Sequence, residues 1–261
     1  MIQVTYPVMQ KFNLYIVEYL NSLPFLKGLE LFQEFDVQLS INKAIPSQCA
    51  SAFHEGLADI ALLPIGALQE KNHFIFSDYC IGCDGDVQTV CVFSNKNSLE
   101  EIHSISYDEA SRTSNLLLEI LLRFYWKKNN IQLVAPNESA DAKLIIGDAA
   151  FQETKRSKLI IDLGEEWKKF TGLPFVFAVW VSNQKLNSSY IQQFNQCFEK
   201  GISHISEITD NYKFLSKQIA FDYLTKNISY NFDERKKEAL RLFQNYVKLL
   251  IPSTKLNSIN A

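Results

Sequence analysis

Short apolar runs along the chain alternate with longer segments whose apolar residues recur at helical spacing. Strands are predicted for FNLYIVEY (Phe12 to Tyr19), DIALLP (Asp59 to Pro64) and VQTVCVFSN (Val87 to Asn95). Each of the first two runs leads into a proline, and a helical pattern follows that proline. After the second run the helical pattern is IGALQEK. Such alternation is typical of α/β proteins with mainly parallel sheets.

The pattern continues in the second half of the chain. IHSISYD (Ile102 to Asp108) and AKLIIGDAA (Ala142 to Ala150) predict strands, and NLLLEILLRFYWKK (Asn115 to Lys128) predicts a helix between them. That helix is apolar on most faces, so we expect it to lie in the core of its own lobe. Lys158 to Asn183 predicts strand, helix and strand, and only helices are predicted beyond Asn187.

No Gly/Ser-rich linker or repeat divides the chain, so two lobes would have to be joined by strands. We predict the crossovers where the two strongest strands end, near Phe93 to Asn95 and near Val181 to Asn183. Residues 1–93 and 183–261 would then form a discontinuous first lobe that includes the C-terminal helices. Residues 94–182 would form the second lobe.

Composition excludes several classes of function. The 261 residues are 47% hydrophobic and carry a net charge of −3, with Lys and Arg scattered, so nucleic acid is not an expected partner. The apolar runs are far shorter than the roughly 20 residues that span a bilayer, and the N-terminal sequence lacks the features of a secretion signal. We therefore expect a cytoplasmic protein that does not enter a membrane.

Metal and cofactor motifs are missing from the sequence. The 4 histidines have no metal-ligand spacing, and no Gly-rich nucleotide loop occurs, so no metal or cofactor is expected. Cys80 and Cys83 form a Cys-x-x-Cys pair with no second pair, and they lead into a strand rather than a helix. We interpret them as packing residues, and the 5 cysteines as reduced thiols.

Polar residues at the ends of predicted strands are the candidates for chemistry, because ligands of open α/β sheets bind there. EASRTSN places Ser111, Arg112, Thr113 and Ser114 at the start of the long helix, where hydroxyls, free N–H groups and the helix dipole would attract a carboxylate or phosphate. Alternatively, a hydroxyl only caps the helix, and Arg112 is an exposed residue.

Two further strand ends carry polar residues. Asn21 and Ser22 follow the first strand, directly before the helix that Pro24 predicts, and either could bind a ligand or cap that helix. Gly147 and Asp148 follow a later strand. Asp148 could serve as a base or an acceptor, or the pair could be a simple turn.

Six stretches occur in an order that resembles the chorismate dehydratase family, which opens the futalosine route to menaquinone. They are EYLNSLPFL (18–26), ADIALLPIGAL (58–68), DYCIGCDGDVQTV (78–90), ISYDEASRTSNLLLEILL (105–122), LIIGDAA (144–150) and DLGEEWKKFTGLPFVFAVWV (162–181). The elements GLPFVFAVW and SRTS make the resemblance specific.

The resemblance implies a two-lobed fold like that of type II periplasmic binding proteins, with a ligand cleft between the lobes. It also implies a cofactor-independent lyase that removes water from chorismate to leave 3-[(1-carboxyvinyl)oxy]benzoate. The family's active-site asparagine falls on Asn21, and its active-site serine falls on Thr89. Threonine keeps the hydroxyl, but its methyl group restricts the rotamer and narrows the pocket.

The sequence offers no obvious His or Glu base at the motifs predicted to form the cleft, and Asn21 and Thr89 are poor bases. Our hypothesis is that the enolpyruvyl carboxylate of the substrate, oriented by Asn21 and Thr89, takes the proton, with Asp148 as the competing base. A small-carboxylate binding protein is the alternative from another class. The sister enzyme that makes 1,4-dihydroxy-6-naphthoate is a further alternative, but it normally relies on a histidine and a different N-terminal motif.

Overall fold

The computed structural model describes residues 10–68 and 72–250. Within these ranges the chain forms strands and helices in alternation. The strands are β1 (Gln10–Val17), β2 (Val37–Ala44), β3 (Ile60–Pro64), β4 (Phe74–Cys83), β5 (Val90–Ser94), β6 (Ser104–Ser106), β7 (Gln132–Val134), β8 (Ala142–Ile146), β9 (Leu159–Asp162), β10 (Phe175–Ser182) and β11 (Ser229–Asn231).

The helices pack on the faces and ends of the sheets. They are α1 (Leu23–Leu31), α2 (Pro46–His54), α3 (Arg112–Ile120), α4 (Ala150–Glu153), α5 (Leu163–Thr171), α6 (Ser188–Ser203), α7 (Ile205–Asn211), α8 (Lys217–Asp222) and α9 (Glu234–Leu250). Among the described residues, no helix is both long enough and apolar enough to cross a membrane.

Two mixed sheets define two lobes. The first has the strand order β11-β4-β10-β3-β1-β2, and the second has the order β7-β6-β8-β5-β9. In the first sheet β1 runs parallel to β2 and β3, while β10 is antiparallel to β3 and β4. In the second sheet β6 is parallel to β7 and β8, while β5 is antiparallel to β8 and β9. The expected mainly parallel sheets are therefore wrong, because β5 and β10 run against their neighbours.

The chain crosses between the sheets twice. Each crossover lies one strand earlier in the sequence than predicted. The first lies between β4 and β5, and the second between α5 and β10. The predicted lobe boundaries at 93/94 and 182/183 are therefore wrong by one strand each: β5 belongs to the second sheet and β10 to the first. Both strands are buried apolar runs, and such a run does not reveal which sheet it joins.

Most predicted elements are confirmed, with three differences. The helix predicted after Pro64 is a 3₁₀ turn at Ile65–Ala67, and residues 69–71 lie outside the described part of the chain. The long helix begins at Arg112 and continues beyond α3 as a π-helical turn, Leu121–Tyr125. Strand β11 interrupts the predicted all-helical C-terminal part, since three residues are too few to show a strand period.

A close helix crossing anchors the C-terminal helices to the first lobe. Gly28 of α1 and Gly201 of α6 face each other so closely that a Cβ on Gly201 would overlap the carbonyl oxygen of Pro24. Beside this crossing the indole of Trp180 stacks on Phe198 with ring centroids 4.5 Å apart. The crossing fixes α1, and with it the turn between β1 and α1 that carries Asn21.

Candidate active site

A pocket lies between the two sheets, where the lobes meet. Its space is about 550 Å³, part of which opens to solvent. The walls are mostly apolar, and the polar side chains that line the pocket are Tyr19, Asn21, Thr89, Ser111, Thr113 and Ser114. Among the described residues, no Asp, Glu, Lys, Arg or His lines it.

Asn21 reaches the pocket from a 3₁₀ turn, Leu20–Ser22, between β1 and α1. Its amide Nδ2 donates a hydrogen bond to the hydroxyl of Tyr223 at 3.2 Å. The hydroxyl of Tyr230 donates to the backbone carbonyl of Asn21 at 3.0 Å. Both the backbone and the side chain of Asn21 are therefore held by tyrosines from the C-terminal part of the chain.

Ser22 does not line the pocket, although it is the next residue. Its hydroxyl is fully buried and donates to the carbonyl oxygens of Val17 and Tyr19, and it accepts the N–H of Tyr19 at 3.3 Å. The structure therefore does not bring Ser22 to the pocket, and nothing in its surroundings supports the prediction that it binds substrate. A 3₁₀ turn has three residues per turn, so consecutive side chains point about 120° apart. Asn21 consequently faces the pocket while Ser22 faces the core.

Thr89 lies in the first crossover, directly before β5, and is buried. Its Oγ1 lies 2.8 Å from the hydroxyl of Tyr223 and 3.4 Å from the carbonyl oxygen of Val87. The backbone carbonyl of Thr89 accepts the N–H of Gly147 at 2.8 Å. The two residues that the family resemblance marks as active-site residues, Asn21 and Thr89, thus meet through one tyrosine hydroxyl.

The half-buried carboxylate of Asp162 shapes the turn before Thr89. It accepts the N–H groups of Val87 at 2.9 Å and Gln88 at 2.6 Å, and its other oxygen caps α5. Gln88 has the left-handed φ of 63°, which is uncommon for a residue with a side chain. Burial raises the pKa of Asp162, and its backbone hydrogen bonds oppose that shift. Asp162 therefore stabilises the backbone that presents Thr89.

The start of α3 lines the pocket and is also capped by its own residues. Ser111 is the N-cap: its Oγ accepts the N–H of Ser114 at 3.2 Å and lies 2.9 Å from the Ser114 hydroxyl. The Thr113 hydroxyl accepts the N–H of Gly66 at 3.0 Å, across the cleft. Ser111 therefore caps α3 and also lines the pocket, while anion binding at this helix start stays a prediction.

Arg112 points away from this pocket. Its side chain is exposed and lines a separate surface depression with Pro46 and Ser47. On a helix, residues three apart share a face, whereas the next residue is rotated by about 100°. Ser111 and Ser114 therefore share the pocket face, and the structure does not bring Arg112 to the pocket, so its binding of substrate stays a prediction.

Gly147 and Asp148 occupy the end of β8, but they face different spaces. Gly147 lines the pocket with φ 65°, and a Cβ there would lie 2.9 Å from the ring of Tyr19. The carboxylate of Asp148 accepts the N–H of Leu20 at 3.2 Å and the hydroxyl of Tyr212 at 2.8 Å. It lines a neighbouring groove, so the structure does not bring Asp148 to the pocket with Asn21 and Thr89.

Tyr19 and Tyr223 are the residues of this site that sequence reasoning missed. Tyr19 lines the pocket, and burial together with the nearby carboxylates of Asp108 and Asp148 raises its pKa to about 12. Its hydroxyl therefore stays protonated at neutral pH. Tyr19 stands within EYLNSLPFL, directly beside the predicted residues, whereas no local pattern marks Tyr223.

None of the five cysteines lines the pocket. The five are buried thiols, and burial raises the pKa of Cys80 to about 12 and that of Cys83 further. In the part of the chain that the structure describes, no group of three or more His, Cys, Asp and Glu could hold a metal ion. The packing role predicted for Cys80 and Cys83 agrees with these surroundings.

The two sheets and the pocket between them give the chain a periplasmic-binding-protein-like α/β fold. A protein from Archaeoglobus fulgidus superposes with a TM-score of 0.71 at 16% identity, covering 92% of this chain and 98% of that one. The alkanesulfonate-binding protein SsuA from Xanthomonas axonopodis pv. citri has a TM-score of 0.65 at 12% identity, covering 95% and 96%. These likenesses concern the fold alone.

Sequence comparison gives the family. The profile of the menaquinone biosynthesis family matches residues 13–248, so the chain belongs to that family. Chorismate dehydratase from Campylobacter jejuni subsp. jejuni serotype O:23/36 (strain 81-176) is 26% identical over 241 residues, which cover 90% of this chain and 96% of that protein.

Proposed function

We propose that this protein is a chorismate dehydratase, a carbon–oxygen lyase that eliminates water from chorismate to give 3-[(1-carboxyvinyl)oxy]benzoate. The observation that carries the proposal is the meeting of Asn21 and Thr89 in one interlobe pocket with the start of α3. Membership of the menaquinone biosynthesis family and the similarity to a chorismate dehydratase support it.

The pocket suits a small dianion, although no cationic side chain among the described residues lines it. The hydroxyls of Thr113 and Tyr19 are donors for a carboxylate, and the dipole of α3, whose first turn lines the pocket, favours negative charge there. The Thr113 hydroxyl accepts from Gly66, so its own proton is available to a ligand. The apolar walls formed by Leu62, Ile81 and others exclude water and strengthen each of these hydrogen bonds.

In the reaction the C3–H bond and the C4–O bond of the ring break. The electron pair of the C3–H bond forms the C3–C4 double bond, and the departing C4 hydroxide combines with a proton to leave as water. Aromatisation of the ring drives the elimination, so the enzyme chiefly has to hold a reactive conformer. Asn21 and Thr89 would orient the enolpyruvyl group and donate to the oxygens that gain charge.

The base for the C3 proton is assigned to the enolpyruvyl carboxylate of chorismate itself. Two observations support this assignment: no Asp, Glu or His among the described residues lines the pocket, and Tyr19 is protonated because its pKa is raised to about 12. The carboxylate is attached to the ring through the C3 oxygen, so it needs only orientation to reach the proton.

The Asp148→Asn variant tests the competing base. We expect its kcat to stay within about tenfold of the unchanged protein, because both carboxylate oxygens of Asp148 accept hydrogen bonds from Leu20 and Tyr212 outside the pocket. The measurement is steady-state turnover together with chorismate affinity. If the variant binds chorismate normally but no longer turns it over, Asp148 is the base.

One incubation tests the function as a whole. Purified protein, treated with a chelator, is mixed with chorismate, and products are followed by mass spectrometry and ultraviolet absorbance. We expect the loss of one water and the spectrum of a substituted benzoate, at a rate far above that of chorismate alone. Unchanged chorismate that raises the melting temperature of the protein would indicate a binding role instead.

Replacing Cys80 and Cys83 together by alanine tests the packing role of the cysteines. Turnover should stay within about threefold of the unchanged protein, while the free energy of unfolding falls by about 1–3 kcal/mol because two buried sulfur atoms are removed. Urea unfolding and the dehydratase assay at a temperature where both proteins are folded measure the two effects. A folded double variant without turnover would mean that a thiol takes part in the reaction.

A further inference from the structure

The hydroxyl of Tyr223 is the point at which the two lobes of the site meet. Tyr223 begins a π-helical turn, Tyr223–Asn227, that follows α8 and leads to β11 of the first sheet. Its hydroxyl lies 3.2 Å from Nδ2 of Asn21 and 2.8 Å from Oγ1 of Thr89. Its ring packs edge-on against Phe151, with centroids 5.1 Å apart. Tyr223 lies behind the pocket lining and does not line it.

The directions of the hydrogen bonds follow from counting protons. The Asn21 amide N–H donates to the Tyr223 oxygen, so this bond does not use the tyrosine proton. Tyr223 is 1% exposed, and the other hydrogen-bond partner of its hydroxyl among the described residues is Thr89. A buried hydroxyl proton without an acceptor is costly, so Tyr223 donates to Thr89. The proton of Thr89 is then left for Val87, at a long 3.4 Å, or for a ligand.

Burial also keeps this tyrosine neutral. It raises the pKa of Tyr223 well above the ordinary value, against the smaller opposing effect of the two hydrogen bonds. The hydroxyl is therefore protonated, and able to donate, at neutral pH. A donor fixed in this way polarises the hydroxyl of Thr89, because linked hydrogen bonds strengthen one another at a buried site.

We propose that Tyr223 is a positioning residue for the reaction: it aligns the Asn21 amide and makes the Thr89 hydroxyl a hydrogen-bond donor to the substrate. The role rests on the proposed function. Asn21 and Tyr223 are attached to the first sheet, while Thr89 precedes the first strand of the second. The hydrogen bond between Tyr223 and Thr89 therefore spans the cleft. The Thr89 hydroxyl is turned into a donor to the substrate by a residue of the other lobe.

Tyr223→Phe removes the hydroxyl and keeps the ring. We expect kcat to fall about 10- to 100-fold while KM changes by less than about threefold, because alignment matters most where charge develops in the transition state. Tyr230→Phe is the matched comparison. It also removes the hydroxyl of a buried tyrosine, but that hydroxyl holds the backbone of Asn21 rather than its amide. Its loss of kcat should be several-fold smaller, and equal losses in the two variants would overturn the proposal.

A double-mutant cycle separates positioning from general loosening. In a Thr89→Val background, which keeps the shape and removes the hydroxyl, Tyr223→Phe should cost clearly less than in the unchanged protein. Equal costs in both backgrounds would show that Tyr223 does not act through Thr89.

A crystal structure of Tyr223→Phe gives a readout that does not depend on turnover. We expect the Asn21 amide and the Thr89 hydroxyl to leave the orientations that they have now. Unchanged rotamers would overturn the positioning role whatever the substrate is. Failure of the unchanged protein to dehydrate chorismate would instead contradict the proposed function, so the two failures are distinguishable.

Discussion

Replacement of Asn21 or Thr89 by alanine is expected to lower the kcat for chorismate dehydration by about 10²-fold or more. Each change removes a side chain that lines the pocket and hydrogen-bonds to Tyr223. Among the described residues no Asp, Glu, His, Lys or Arg lines the pocket, so the proposed reaction depends on orientation of the substrate's own carboxylate. Steady-state kinetics and single-turnover measurements with excess protein would separate lost binding from lost chemistry.

Thr89→Ser is the matched control for this prediction. Serine keeps the hydroxyl that bonds to Tyr223 and removes only the methyl group, which restricts the rotamer and occupies part of the pocket. We expect turnover close to or above that of the unchanged protein. If Asn21→Ala and Thr89→Ala both turn over chorismate at nearly the normal rate, neither residue belongs to the reaction.

The parts of the site that were predictable lie at the ends of predicted strands. Asn21, Ser111 and Gly147 each follow a strand with a strong local pattern, and the topology of open α/β sheets brings such ends to one cleft. Sequence position does not reveal the direction of each side chain. Ser22 and Arg112 are next to pocket residues, yet the geometry of their turns directs them elsewhere.

Tyr223 could not be predicted, because no short-range signal connects it to its partners. It stands 202 residues from Asn21 and 134 residues from Thr89. Its contact with both depends on how the C-terminal helices pack against the first sheet. That packing depends on the helix crossing of α1 and α6, which brings two glycines of distant sequence together. Such tertiary contacts leave no periodicity in the sequence.

The crossovers were misplaced for a related reason. The apolar runs of β5 and β10 predict buried strands, and both are buried. Their assignment to a lobe depends on hydrogen bonds to β8 and β3, which are formed by residues far away in the sequence. The correction matters for the site, because Thr89 lies within the first crossover and not at the end of a strand in the first lobe.

Gly147→Ala is the second substitution from which we expect a large effect, because it changes backbone and pocket together. Gly147 has φ 65°, a conformation that costs a residue with a Cβ about 1–2 kcal/mol. The new Cβ would also lie 2.9 Å from the Tyr19 ring, so the ring has to move within the pocket. The N–H of Gly147 donates a hydrogen bond to the carbonyl oxygen of Thr89, so a shift of the backbone at Gly147 would also move Thr89.

Gly172→Ala separates the two effects of that substitution. Gly172 ends α5 with the similar φ of 73°, but a Cβ there would have no atom within 4 Å. Gly172→Ala should lose about 1–2 kcal/mol of unfolding free energy in urea titrations, and Gly147→Ala should lose more, because its Cβ also meets the Tyr19 ring. Only Gly147→Ala should also lose about tenfold or more in kcat/KM, since Gly172 lies outside the pocket. Equal kcat/KM values in the two variants would mean that the contact between Gly147 and Tyr19 has no part in shaping the site.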